Sequence, residues 1–128
     1  MAKLPTRIAV IDDDASVRRA LSRFLCASSY EAKTYGSGPE FLEAVHAFRP
    51  HCIVLDLHME GMNGLDVQRH LSRMGPHWPL IVITGHDNPR AHAEALALGA
   101  DAFLLKPVDG QLLVSTIERV TKVAQDPA

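Results

Sequence analysis

The sequence predicts an α/β protein: a doubly wound, mainly parallel sheet covered by helices on both faces and folded as a single domain. Three observations carry this. Short apolar runs of strand length recur along the chain, each gives way to a segment whose apolar residues are spaced for a helix, and Gly, Pro, Asn and Asp punctuate the joins. The length of 128 residues is one ordinary domain, able to bury roughly two-thirds of the surface its unfolded form exposes.

Arg7–Ile11 is an apolar run halted by Asp12, Asp13 and Asp14, and Val17, Ala20, Leu21, Phe24 and Leu25 then recur at helical spacing. Asp14 is the expected helix cap, because a carboxylate there accepts from free backbone amides and complements the helix dipole. Tyr30–Tyr35 reads as a weaker edge strand. Ser37-Gly38-Pro39-Glu40 resembles a capping box before a helix carrying Phe41, Leu42, Val45 and Phe48, which Pro50 ends. His51–Leu55 is a buried-type strand. A Gly-rich loop through Gly61 and Gly64 leads to a helix with Leu65, Gln68 and Leu71 on one face, closed by Pro76 and Pro79.

Leu80–Thr84 is the fourth strand, and Asn88 with Pro89 opens an Ala-rich helix that ends at Gly99. Ala102–Leu105 is the fifth strand. Asp109 is placed to cap a last helix with the stripe Leu113, Ile117, Val120 and Ala124, so the domain is expected over 1–124, with 125–128 a frayed end or the start of a linker. Such alternation implies right-handed crossovers. Pattern alone does not fix strand order; the flavodoxin-like (βα)5 order 2-1-3-4-5 is a common solution.

Thirteen basic and fifteen acidic residues leave a formal charge of −2, and no Lys/Arg run suited to a phosphate backbone is present, which argues against direct nucleic-acid binding. No apolar stretch approaches the roughly 20 residues of a membrane span. A soluble cytoplasmic protein with no membrane association is the expectation. Cys26 and Cys52 form no CxxC pair and read as buried small hydrophobes, and the histidines show no zinc-ligand spacing.

In open α/β sheets ligands bind beyond the carboxyl ends of the strands. Asp12 and Asp13 follow the first strand, Asp56 ends the third, Thr84 the fourth, and Lys106 follows the fifth. Each residue alone is an ordinary turn former, cap or surface group; together they lie on one rim. Converging carboxylates repel, since two unit charges 4 Å apart cost about 4 kcal/mol at an effective dielectric of 20. A hard divalent cation such as Mg²⁺ offsets that, and Lys106 adds further positive charge. This composition suits phosphoryl transfer. Asp56, at the end of a buried strand, is the candidate nucleophile, Asp12 and Asp13 are better suited to metal, and the Thr84 hydroxyl to a phosphoryl oxygen.

Asp12-Asp13, Leu55-Asp56-Leu57-His58-Met59 with Gly64 downstream, Thr84-Gly85 and Phe103-Leu104-Leu105-Lys106-Pro107 resemble, in this order and spacing, the CheY-like receiver domain of two-component response regulators over nearly the whole chain. The resemblance implies that Asp56 accepts phosphoryl from a sensor histidine kinase. It implies Mg²⁺, or Mn²⁺, held by Asp12, Asp13, Asp56 and the backbone carbonyl of His58, with Lys106 on the phosphoryl oxygens. Thr84 and Phe103 would be the switch pair, and the Lys106-Pro107 bond would be cis. His58 and His86 stand at positions that tune how fast water removes the phosphoryl group. Ser37-Gly38-Pro39-Glu40-Phe41-Leu42 and Ile83-Thr84-Gly85-His86 are similar to the FixJ/LuxR-type branch, which implies a DNA-binding output domain outside this chain and a homodimer formed on phosphorylation. Glu60 stands where many relatives have proline, and Gly85 where alanine is usual.

Three other readings compete. An aspartate-nucleophile phosphohydrolase usually carries a second Asp two residues after the nucleophile, a spacing that Asp12 and Asp14 have and Asp56 lacks. A flavodoxin needs a hydroxyl- and Gly-rich phosphate cradle, whereas the first strand exit here is acidic. A degenerate receiver controlled without phosphate is motivated by Glu60, but the acidic set, Thr84 and Lys106 are complete. The expected protein is a regulatory phosphoacceptor and not an enzyme that turns over an external substrate.

Overall fold

The computed structural model describes residues 4–125, with side chains described as far as Lys122. Five strands alternate with five helices: β1 (Arg7–Ile11), α1 (Ala15–Ala27), β2 (Glu31–Tyr35), α2 (Gly38–Phe48), β3 (Cys52–Asp56), α3 (Gly64–Met74), β4 (Leu80–Thr84), α4 (Pro89–Ala97), β5 (Ala102–Leu105) and α5 (Gly110–Gln125). The strands form one parallel sheet in the order β2-β1-β3-β4-β5. This is the flavodoxin-like arrangement.

The continuous apolar strands follow from burial on both faces, since successive side chains of a strand point to opposite sides. Ala9, Ile11, Ile53, Leu55, Leu80 and Val82 face one core, which Phe41, Val45, Val67, Leu71 and Ala95 complete from α2, α3 and α4. Ile8, Val10, Cys52, Val54, Ile81 and Ile83 face the other, closed by Leu21 and Leu25 of α1 and by Leu113, Ile117 and Val120 of α5. β2 is an edge strand and alternates in burial, as its weaker pattern predicts.

The caps at Asp14, Asn88 and Asp109 form as expected, each accepting backbone amides of the following helix. Ser37 accepts from the Glu40 amide, but the Glu40 carboxylate bonds the Gly36 amide and not that of Ser37, so the box slips by one residue. A complete capping box stands instead at Asn63 and Asp66.

Several expectations about burial are corrected. Cys26 is exposed, because it sits one residue beyond the buried Leu25, a step of 100° around the helix. Ala20 and Phe24 of the expected α1 stripe are also exposed, with Phe24 lying over Gly110 at the start of α5. In α3 the buried face is Gly64, Val67, Gln68 and Leu71, leaving Leu65 half-buried. α5 continues to Gln125; the side chain of Ala124 and residues 126–128 lie outside the described residues.

Candidate functional site

Register carries the expected residues to one end of the sheet. Ile11 pairs with Leu55, Asp56 with Ile83 and Thr84 with Leu105, so the residues at the ends of β1, β3, β4 and β5 emerge side by side. Asp12, Asp56 and Thr84 are buried there, while Asp13 is exposed at the mouth. One carboxylate oxygen from each of Asp12, Asp13 and Asp56 lies within 4.8 Å of the other two.

Lys106 enters from the far edge. Its Nζ is 2.8 Å from Asp12 Oδ2 and 3.4 Å from Asp56 Oδ2. Burial opposes the ammonium's charge, but the two carboxylates outweigh it and hold the Lys106 pKa above its ordinary value. Asp56 shows the reverse balance. Burial, then repulsion from Asp12, pushes its carboxyl up to about 6, against the opposing pull of Lys106 and of the His58 amide, which donates to Asp56 Oδ1 at 3.3 Å.

The remaining contacts fix the acids in place. Asp12 Oδ1 accepts from the Asp14 amide at 2.9 Å, and its backbone carbonyl accepts from Arg18 at 2.7 Å. Asp12 Oδ2 is fully buried, and its polar partner is the Lys106 ammonium. The Glu60 amide donates to Asp13 Oδ2 at 3.2 Å, a bond that the proline usual at this position lacks the hydrogen to make. Asp14 is not available as a general acid: its carboxylate accepts from the Ser16 amide at 2.8 Å and the Ser16 hydroxyl at 2.6 Å as the α1 cap.

Three carboxylates against one ammonium leave the pocket short of positive charge. An all-oxygen donor set of three carboxylates fits a hard divalent cation such as Mg²⁺ and not a soft one. A close backbone approach supports the pocket from below. A Cβ at Gly64 would stand 2.6 Å from the Asp56 carbonyl oxygen and 2.8 Å from Leu57 Cα, so only glycine lets α3 begin against this loop.

Thr84 is turned toward the following loop, its hydroxyl 3.3 Å from the His86 carbonyl as donor and 3.2 Å from the His86 amide as acceptor. Gly85 has open space where a Cβ would stand. The rings of His58 and His86 meet edge to face with centroids 5.4 Å apart, a contact that neither residue's position announces. Phe103 is half-buried and stacks on His92 of α4, with centroids 3.9 Å apart and planes within 4°. α4 is further tied to α3 by Gln68 Nε2, which donates to the Ala95 carbonyl at 2.9 Å, and by an Arg69–Glu94 ion pair. Gly64, Arg18 and His92 were not singled out from sequence for these roles. Of the three, only Gly64 carried a signal, as a glycine just ahead of a helix. The Lys106-Pro107 bond is cis.

Residues 8–118 match the family described as response regulator receiver domain. Among curated proteins, the chain is 35% identical over 113 residues to Nodulation protein W of Bradyrhizobium diazoefficiens, covering 88% of this chain and 50% of that protein. It is 37% identical over 108 residues to the transcriptional regulatory protein FixJ of Azorhizobium caulinodans, covering 84% and 51%. The chain thus spans about half the length of these relatives. Among solved structures, the response regulator receiver protein from Burkholderia phymatum superposes with a TM-score of 0.81 at 43% identity, covering 91% of this chain and 95% of that one. FixJ-N superposes with a TM-score of 0.86 at 30% identity, covering 94% and 96%.

Proposed function

The chain belongs to the response regulator receiver domain family, and on that premise we propose that it is a phosphoacceptor switch in which Asp56 takes a phosphoryl group from the phosphohistidine of a sensor histidine kinase. The observation that carries the reading is the Lys106 ammonium in contact with two buried carboxylates, with a third acid alongside, at the carboxyl end of the sheet. An Asp56 oxygen attacks phosphorus. The O–P bond forms as the P–N bond breaks, and the electron pair leaves with the imidazole, which takes up a proton.

Asp12, Asp13, Asp56 and the His58 carbonyl would hold Mg²⁺ or Mn²⁺, which when bound supplies positive charge to the phosphoryl oxygens. Lys106 pairs with one of those oxygens. The Thr84 hydroxyl leaves the His86 backbone to donate to another, and Phe103 moves off His92 into the space behind it. That changes the α4-β5-α5 face, through which the phosphorylated form dimerises. His58 and His86, already ring against ring, set how readily water reaches the phosphoryl group.

The regulatory unit corresponds to residues 1–124, and its output is a LuxR-type DNA-binding domain outside this chain, a reading supported by the likeness to FixJ over half of that protein. DNA is contacted only through that domain. No helix among the described residues is long and apolar enough to cross a membrane, which accords with a cytoplasmic partner of a kinase. The chain supports only its own phosphotransfer and autodephosphorylation. The test is Mg²⁺-dependent labelling by acetyl phosphate: stoichiometric incorporation in the wild type, and loss in Asp56→Asn, are expected. Labelling that survives Asp56→Asn, or that never occurs in the wild type, overturns the reading.

A further inference from the structure

The opposite end of the sheet carries an open cavity of about 550 Å³ that the phosphoacceptor reading does not use. Arg7 enters its wall from the start of β1, His46 and Arg49 from the end of α2, His51 from just before β3 and Trp78 from just before β4. Among the described residues, no carboxylate lines it. Asp56 lies five residues of strand away from His51, about 16 Å at 3.3 Å per residue, so the two sites are separate.

The donors are built in. Arg7 Nε donates to the Phe48 carbonyl at 3.0 Å and to the Arg49 carbonyl at 2.8 Å. These bonds fix the guanidinium and occupy carbonyls at the negative end of α2, and neither uses the terminal N–H groups of the fork. His51 Nδ1 accepts from the Arg7 amide at 2.9 Å, which puts the ring proton on Nε2 as a donor. Burial, then the charge of Arg7, holds the His51 pKa below its ordinary value and keeps that tautomer neutral.

Arg49 caps α2 at φ 54° and ψ 64°, a left-handed conformation that glycine adopts without strain and arginine does not. Arg49 is a second arginine lining the cavity, beside Arg7. Trp78 supplies an apolar plate, tilted at 59° to the His46 ring with centroids 6.1 Å apart and flanked by Pro50 and Pro76. Arg7 and Arg49 also border the adjoining depression, where Lys33 and Glu31 stand beside them, so the two arginines form the wall between the cavity and that depression.

Cationic forks and a neutral N–H donor, with no side-chain carboxylate and an aromatic plate beside them, call for an anion that carries a planar ring. The volume is within the range of roughly 300–1,000 Å³ of small-molecule sites and well beyond what a bare phosphate fills. We propose that this cavity binds a small phosphate-bearing aromatic ligand of the nucleoside monophosphate class, with Arg7, Arg49 and His51 receiving the phosphate and Trp78 the ring. This rests on the cavity alone and stands whether or not Asp56 is phosphorylated.

The test is an amide and indole NMR titration of the chain with AMP, adenosine and inorganic phosphate at constant ionic strength. AMP is expected to give saturable shifts at residues 49 and 51 and at the Trp78 indole, with the other two probes binding about tenfold more weakly. Arg49→Gly suits the left-handed backbone and therefore folds; it should weaken AMP about tenfold, the order expected for a lost charge-assisted hydrogen bond. Trp78→Leu should bring AMP to the level of inorganic phosphate. Absence of saturation at millimolar AMP, equal affinity for AMP and phosphate in the wild type, or unchanged binding by Arg49→Gly overturns the proposal.

Discussion

Neutralising position 56 should make the metal-free protein more stable at neutral pH. Asp56 is 2% exposed, and burial followed by repulsion from Asp12 raises its pKa from 3.8 to about 6. At 1.36 kcal/mol per unit, about two units correspond to about 3 kcal/mol. The sign follows from the direction of the shift. In acid below about pH 4 the group is protonated in both states and contributes nothing; as pH rises toward 6 the folded state holds its proton more tightly, so stability falls, and above about pH 6 the full penalty is present. Urea unfolding of the wild type and Asp56→Asn, both in chelator, should therefore differ by about 3 kcal/mol in favour of the variant at pH 8, and by about half that at pH 5. His51, whose pKa is lowered, loses stability on acidification in both proteins and cancels in the difference. Mg²⁺ should close the gap by stabilising the wild type. An asparagine variant no more stable than the wild type at pH 8, or a difference that does not change with pH, would refute the electrostatic account of the pocket.

Three further outcomes follow from the contacts. Gly64→Ala forces a methyl against the backbone of Asp56 and Leu57, and unfolding should show a loss of about 1–3 kcal/mol. Lys106→Met removes the cation that competes with metal: calorimetry should find Mg²⁺ bound about tenfold more tightly, a fraction of the roughly 4 kcal/mol that unit charges exchange at 4 Å, while acetyl phosphate labelling slows at least about tenfold. His92→Ala uncovers one face of Phe103, which should lower stability by about 0.5–1.5 kcal/mol and shift the Phe103 ring resonances without changing Mg²⁺ affinity.

The strand exits were legible because the signals that mark them are local. An apolar run ending in Asp12, Asp56 or Thr84 reports where a buried strand stops, and once the sheet is parallel every such end faces the same way. The caps at Asp14, Asn88 and Asp109 were legible for the same reason, since each involves residues at most three apart. The box at Asn63 and Asp66 is equally local, but the glycines around it, Gly61 and Gly64, read as loop and mask it.

Sequence by itself thus determined the class of fold, the succession of elements and the rim on which Asp12, Asp56, Thr84 and Lys106 collect, since periodicity, caps and strand ends are written within a few residues of one another. Tertiary structure alone decided that Cys26 and Phe24 face outward, that His92 stacks on Phe103 and His58 meets His86, and that Arg7, Arg49, His51 and Trp78 line one cavity. Those outcomes depend on strand register and on which helix face meets the sheet, and no short stretch of chain encodes a distance to a partner on another element.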